Sequence, residues 1–159
     1  MLKQVISGGQ CGADFAGLST AKKFGIPTGG WMPKGFITQF GKHPEYAELY
    51  NIQEHSSPLY PPRTFLNAKT ADGTIRFAYD FESAGEKCTL KGILQYKKPH
   101  IDVDLKNPIP HQEVVDWIQQ HNIEILNVAG NSEKTYGGIT FIVQEYLEEV
   151  FKLLGYFAN

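Results

Sequence analysis

The chain has 159 residues with a formal net charge of −2, and 42% of its residues are hydrophobic. This length fits one domain with a substantial core, and the near-neutral charge gives no overall attraction to nucleic acid or to an anionic membrane. Two cysteines are too few for a disulfide framework, and no apolar run is long enough for a membrane span or a signal peptide, so we expect a cytoplasmic protein without nucleic-acid or membrane partners.

The first half of the chain predicts a strand, a helix and a long irregular connection. Residues 2–7 have a short strand pattern that ends in two glycines, and small or apolar residues between positions 13 and 24 recur at helical spacing. A second extended piece covers residues 26–31. Residues 33–63 are rich in Pro, Gly, Tyr and His and show little periodicity, so we interpret them as a lid or one wall of a site.

The second half alternates between helix and strand patterns. This alternation predicts a single α/β domain over residues 1–159, in which a mostly parallel sheet has helices on both faces. The predicted helices are 64–71, 88–96, one that starts at Pro110, and 139–154, and the predicted strands are 74–79, 99–105 and 123–129.

Three turns of small residues lie where predicted strands end or helices begin. They are residues 8–12, 83–89 and 130–133. Ligands of open α/β sheets collect at the carboxyl ends of the strands, and free N–H groups at a helix start favour an anion. The glycine spacing matches neither the dinucleotide-binding G-x-G-x-x-G motif nor a phosphate-binding loop, and a turn required only by the fold is the alternative for each one. Together the three turns predict a pocket for a phosphate-bearing, nucleotide-like small molecule.

Four ordered motifs carry a family resemblance. They are residues 6–14 (ISGGQCGAD), 29–35 (GGWMPKG), 63–67 (RTFLN) and 126–130 (LNVAG), followed by Gly-Gly-Ile at 137–139. In these motifs the chain resembles the putative molybdenum carrier family, part of a Rossmann-like nucleotide-binding superfamily that also contains the Lonely Guy phosphoribohydrolases. The resemblance implies a Rossmann-like, doubly wound sheet and, as ligand, the molybdenum cofactor or a nucleotide. It also implies a homo-oligomer, either a dimer or a dimer of dimers.

Five positions depart from what this family usually has. Cys11 and Glu86 stand where threonine is usual. Phe15 and Ser132 replace an arginine, and Phe36 replaces a basic residue. Several cations and hydroxyls are therefore missing from the predicted rim, which implies a ligand with fewer phosphates or a different ligand.

Individual residues each allow a structural and a functional interpretation. Asp14 complements the dipole of the first helix or accepts hydrogen bonds from a ribose, a pterin or an amide. Trp31 fills the core or stacks on a base. Lys34 and Arg63 are surface cations or phosphate partners. We predict as ligand-binding residues Gly8, Gly9, Gln10, Cys11, Gly12, Asp14, Trp31, Lys34, Arg63, Asn67, Ser83, Gly85, Glu86, Lys87, Thr89 and Asn131.

The two cysteines and the scattered histidines do not have metal-ligand spacing, so we predict no metal site. The phosphoribohydrolase relatives carry a Pro-Gly-Gly-x-Gly-Thr loop followed by a glutamate. Residues 83–90 lack the paired glycines, and Glu86 comes one turn early.

We therefore interpret the chain as a binder, either a carrier of a pterin-type cofactor or a protein that sequesters or senses a nucleotide signal. The alternative is a nucleoside-monophosphate phosphoribohydrolase that hydrolyses the N-glycosidic bond, with Asp14 and Glu86 as its catalytic candidates.

Two further expectations concern variants and assembly. Gly9→Asp is expected to abolish binding and to leave the fold intact. The aromatic residues Phe141, Tyr146, Phe151 and Tyr156 are expected to give the last helix more aromatic surface than one sheet face needs, which favours self-association.

Overall fold

The computed structural model describes residues 1–158, which form six helices and nine short strands. No helix within these residues has the length and apolar character that a membrane crossing requires. The elements in chain order are β1 (Gln4–Ile6), α1 (Ala13–Lys23), β2 (Thr28–Gly29), β3 (Trp31–Met32), β4 (Ile37–Thr38), β5 (Gly41–Lys42), α2 (Tyr46–Leu49), β6 (Gln53–Glu54), α3 (Tyr60–Thr70), β7 (Gly73–Ala78), α4 (Ala84–Gln95), β8 (His100–Asp104), α5 (His111–Gln120), β9 (Ile125–Gly130) and α6 (Ile139–Leu153).

The central sheet has the strand order β2-β1-β9-β7-β8, and every neighbouring pair is parallel. All six residues of β7 are buried, as expected for a strand that is covered on both faces. The chain leaves β1 toward one edge of the sheet and leaves β7 toward the other, so the sheet is doubly wound. The predicted Rossmann-like α/β fold is confirmed. The sheet is entirely parallel, where the sequence indicated a mostly parallel one.

Helices cover both faces of the sheet. Helices α1, α5 and α6 pack together on one face, and α3 packs on α4 on the other. The main core fills the space between the sheet and the first group, with Phe77, Val128 and Leu147 fully buried. Tyr146 and Phe151 belong to this core, so the expectation that the aromatic residues of α6 form extra surface is wrong for them. Of the four predicted aromatic positions, Phe141 is the one that is mainly exposed.

The segment 33–63 is more regular than the sequence indicated. Strands β4 and β5 form an antiparallel hairpin, and β6 pairs in parallel with β3. A small second core of Leu18, Met32, Tyr50 and Ile52 fixes this segment on α1. These elements are two to four residues long, which is too short for a periodic pattern to show in the sequence.

Two helices begin earlier than predicted. Helix α3 starts at Tyr60 and has prolines in its first turn. Proline is tolerated there because the N–H groups of the first turn make no hydrogen bond within the helix. Helix α4 starts at Ala84 because Ser83 caps it, its Oγ accepting a hydrogen bond from the Glu86 amide at 3.4 Å. The sequence Ser83-x-x-Glu86 is a capping-box pattern that signals this start. Much of the predicted 83–89 turn is therefore the first part of a helix.

Candidate functional site

A cavity of about 420 Å³ opens at the carboxyl ends of β1 and β9, beside the start of α4. Its volume lies in the usual range of small-molecule pockets, roughly 300–1,000 Å³. The turn after β1, the first turn of α4, the end of β9 and one side of α3 form its walls. Gln39, from the turn of the β4–β5 hairpin, adds a further wall, which agrees with the interpretation of segment 33–63 as part of a site.

The cavity gathers most of the predicted ligand-binding residues. Ten of them lie in its wall, namely Gly8, Gln10, Asp14, Arg63, Asn67, Ser83, Gly85, Glu86, Thr89 and Asn131. Six do not, namely Gly9, Cys11, Gly12, Trp31, Lys34 and Lys87. The predicted turns thus meet as expected, while the more distant cations and the tryptophan lie elsewhere.

The side chains of Asp14 and Arg63, which carry opposite charges, both lie beside Gly8. The Asp14 carboxylate is buried, and its Oδ2 accepts a hydrogen bond from the Gln10 amide at 3.3 Å. Burial raises the pKa of Asp14 to about 6, against the opposing effects of the Arg63 charge and the Gln10 hydrogen bond. Arg63 donates from Nη1 to Thr64 Oγ1 at 2.8 Å. A β-carbon placed on Gly8 would lie 2.9 Å from Asp14 Oδ2, so both groups depend on the bare backbone there.

Glu86 is the second buried acid of the cavity. Its side chain projects from the first turn of α4, and the residue is 3% exposed. Burial raises the pKa of Glu86 to about 7. The positive charges of Arg76 and Arg63 oppose this rise, and the negative charges of Asp14 and Asp102 add to it. The sequence left the separation of Asp14 and Glu86 undetermined, and the fold brings both acids to one cavity.

Arg76 is a supporting residue that the sequence analysis missed. It is 3% exposed on β7 and donates from Nε and Nη2 to the two carboxylate oxygens of Asp102, at 2.8 and 2.7 Å. Its Nη1 donates to the backbone oxygen of Glu86 at 3.1 Å and so fixes the first turn of α4. An arginine inside an apolar strand, with an aspartate at the matching register of the next strand, was the available signal.

Two predicted ligand amides are engaged with the backbone. Asn67 accepts from the Trp31 amide at 3.0 Å and donates to the Trp31 carbonyl oxygen at 3.1 Å. Asn131 accepts from the Tyr79 and Asp80 amides and donates to the Asp80 carbonyl oxygen. Both side chains therefore shape the cavity by holding the neighbouring loops.

Gly9 faces the second core instead of the cavity. Its φ is +70°, and a β-carbon would lie 2.6 Å from Met32 Cγ. The expectation that Gly9→Asp leaves the fold intact is wrong for two reasons. The new side chain would clash with the fully buried Met32, and a residue with a side chain would be strained at this positive φ. Gly12, the N-cap residue of α1, has a φ of +115° and packs against the backbone of Ser132.

The other predicted residues outside the cavity have local partners. The Trp31 ring packs edge-on against His55, with 6.5 Å between ring centroids. Lys34 is exposed, and Lys87 lies 3.6 Å from Glu82 on the surface. Within residues 1–158, no lysine lines the cavity, and Arg63 is its one cation.

The two cysteines are free and have different surroundings. Cys11 Sγ lies 3.6 Å from Gln39 Oε1 outside the cavity wall, whereas Cys88 lines the cavity. Among the described residues no group of three or more His, Cys, Asp or Glu side chains has the arrangement of a metal site.

The cavity wall also contains polar residues that the sequence analysis did not select. Asn127 is buried on β9 and donates to Thr74 Oγ1 at 3.2 Å. Its position inside an apolar strand was a usable signal, as it was for Arg76. Gln39, Tyr60 and Thr135 come from short or irregular segments that give no comparable pattern.

Known proteins share both the sequence pattern and the fold. A family model described as the circularly permutated YpsA SLOG family matches residues 5–151. The crystal structure of a protein described as a putative molybdenum carrier protein from Syntrophus aciditrophicus SB matches with a TM-score of 0.85 and 36% sequence identity, over 94% of each chain. A search of functionally curated proteins found no match.

Proposed function

Because this chain belongs to the circularly permutated YpsA SLOG family, we propose that it is a single-domain protein that binds a phosphate-bearing, nucleotide-like small molecule without turning it over. The observation that carries the proposal is the meeting of the α4 start with Asp14, Arg63 and Glu86 around one cavity. The proposed ligand contacts are Gly8, Gln10, Asp14, Arg63, Gly85 and Glu86.

The start of α4 is the proposed phosphate position. The first N–H groups of a helix have no partner inside the helix, and the helix dipole favours an anion there. Ala84 and Gly85 of this first turn lie in the cavity wall without bulky side chains. Because Arg63 is accompanied by two acids, and no lysine of residues 1–158 joins it, the site suits a ligand with one phosphate better than a polyphosphate.

The size and donor set of the cavity fit a pterin-type cofactor as cargo. The name of the similar protein from Syntrophus aciditrophicus refers to molybdenum carriage, which supports this reading for the present chain. In such a complex the start of α4 would hold the phosphate, while Glu86 and Gln10 would accept hydrogen bonds from the uncharged ring system. Sequestration or sensing of a nucleotide signal would use the same contacts.

The test begins with the protein as purified. We expect mass spectrometry of the material released by heat denaturation to identify a phosphate-bearing pterin or nucleotide in about one equivalent. In parallel, AMP, GMP and ADP-ribose are incubated with the protein, and the mixtures are separated by chromatography. At least one of the three should bind and be recovered intact.

Accumulation of free base beyond one equivalent per protein contradicts binding without turnover. Asp14 and Glu86 share the cavity, so loss of base release in Glu86→Gln would then assign the phosphoribohydrolase activity. Absence of released ligand together with no binding of any of the three probes contradicts the proposal itself.

We also propose a homo-oligomer, a dimer or a dimer of dimers, in the cytoplasm. Phe141, Ile142 and Leu153 on α6 and Phe157 beyond it expose apolar surface. Both cysteines are free thiols, in keeping with a reducing compartment. Light scattering at micromolar concentration should give a mass of at least twice 17.8 kDa, and a monomer mass contradicts the assembly.

A further inference from the structure

Three buried polar atoms of residues that line the cavity have no hydrogen-bond partner in the described part of the protein. They are Glu86 Oε1 on α4, Gln10 Oε1 after β1 and Arg63 Nε on α3. Buried polar atoms are nearly always paired, because an unpaired one costs about 1–3 kcal/mol. Two acceptors and one donor from three separate elements therefore converge on one space.

Glu86 is the most deeply placed of the three residues. It is 3% exposed, and its buried Oε1 accepts no hydrogen bond from any residue in 1–158. Arg76 directs its donors to Asp102 and to the backbone oxygen of Glu86. The fold thus fixes the backbone of Glu86 firmly and leaves its carboxyl group available to the cavity.

We infer that Glu86 accepts hydrogen bonds from two adjacent donors on an uncharged part of the ligand, with Arg63 Nε donating to a neighbouring ligand acceptor and Gln10 Oε1 accepting a further donor. The inference rests on the proposed function and names the part of the ligand that this end of the site recognises. A phosphate is excluded from the space beside the Glu86 carboxyl group, because an anion close to Glu86 and Asp14 would be repelled.

Two parts of a nucleotide-like molecule carry such a donor pair. One is the cis-diol of a ribose, and the other is the ring N–H with the adjacent amino group of a 2-amino-4-oxo heterocycle, as in guanine or a pterin. Both present two donors at a spacing that the two oxygens of one carboxylate can accept. The ribose and the heterocycle thus offer the same pair of donors. Analogues that lack one of these donors show which of the two groups Glu86 binds.

GMP is the probe because it carries both donor pairs, and titration calorimetry gives the affinities. We expect Glu86→Gln to weaken GMP binding at least tenfold, because an amide side chain has a single oxygen to offer. The matched control is Glu82→Gln, the same change at an exposed position outside the cavity wall, which should bind GMP as the wild-type protein does.

Two analogues then locate the donor pair. Weaker binding of 2′-deoxy-GMP than of GMP identifies the ribose, and weaker binding of IMP identifies the amino heterocycle. We expect one analogue to bind at least tenfold more weakly to the wild-type protein, and this difference to disappear in Glu86→Gln. Circular dichroism checks that the variant is folded.

The inference is overturned if Glu86→Gln keeps the wild-type affinity for GMP, or if both analogues bind the wild-type protein as tightly as GMP. It is also overturned if the wild-type protein does not bind GMP. In that case, binding of AMP or ADP-ribose would leave the proposed function standing, so the two failures are distinguishable.

Discussion

Arg63 lies directly against the bare α-carbon of Gly8. A β-carbon on Gly8 would stand 2.7 Å from Arg63 Cζ, a separation that real β-carbons essentially never show. The guanidinium group can therefore occupy its place beside Gly8, in the cavity wall, only because residue 8 has no side chain. Glycine is required at position 8 because a side chain would have no space there. At position 9 it is required also because the backbone has a positive φ.

The first prediction concerns this contact. Gly8→Ala should displace the Arg63 guanidinium and weaken binding of any of AMP, GMP and ADP-ribose that the wild-type protein binds. Loss of a charge-assisted hydrogen bond corresponds to roughly 10- to 100-fold in affinity. Gly137→Ala is the control, because its β-carbon would meet nothing within 4 Å. Equal affinities of Gly8→Ala and the wild-type protein by calorimetry would show that Arg63 does not contact the ligand.

The second prediction is a pH-dependent gain in stability from Glu86→Gln in the ligand-free protein. Burial raises the pKa of Glu86 from 4.5 to about 7, so the folded state favours the protonated form. The stability contribution of Glu86 is fully present below pH 4.5 and is lost as the pH rises through about 7. Glutamine cannot ionise, so the variant should be more stable than the wild-type protein at pH 8, by on the order of 3 kcal/mol.

Urea denaturation at pH 8 and pH 4.5 measures this difference. The advantage of Glu86→Gln should shrink to near zero at pH 4.5. Glu82→Gln, at an exposed site, should leave the free energy of unfolding unchanged at both values. A constant difference between Glu86→Gln and the wild-type protein at the two pH values would mean that Glu86 does not titrate in this range.

The third prediction concerns Arg76. Arg76→Met should lower the free energy of unfolding by about 3 kcal/mol, because it leaves the Asp102 carboxylate and the Glu86 carbonyl oxygen without their donor. It should also raise the pKa of Glu86 further, since the Arg76 charge opposes that rise. Asp102→Asn should destabilise the protein at least as much in urea denaturation, because it leaves the Arg76 charge, on a side chain that is 4% exposed, without its anionic partner. A variant Arg76→Met as stable as the wild-type protein would refute the supporting role.

The fourth prediction separates a structural amide from a ligand contact. Asn131→Ala removes three hydrogen bonds to the Tyr79–Asp80 backbone and should destabilise the protein by about 2 kcal/mol, measured by thermal unfolding. Asn107→Ala, in the turn after β8 and outside the cavity, serves as a control of the same chemistry. If Asn131→Ala lost ligand binding at full stability, the amide would be a direct ligand contact.

The sequence by itself determined the architecture, because its longer elements carry their own signal. The strands β7 and β9 are six residues long and mostly apolar, apart from polar residues such as Arg76 and Asn127, and α6 repeats apolar residues at helical spacing over 15 residues. Their alternation predicts a parallel, doubly wound sheet, and the glycine turns at its strand ends predict where the cavity lies. Ten of the sixteen predicted residues lie in the cavity wall for this reason.

Only the tertiary structure decided which side chains reach the cavity. Trp31, Lys34 and Lys87 lie in or near the predicted motifs but outside the cavity wall. Trp31 packs against His55, which is 24 residues further along the chain, while Lys34 is exposed and Lys87 lies near Glu82 on the surface. Likewise, only the register of neighbouring strands gives Arg76 and Asn127 their partners, Asp102 and Thr74. The elevated pKa values of Asp14 and Glu86 have the same origin, since burial of a charge is a property of the assembled fold and not of the residues beside it in the chain.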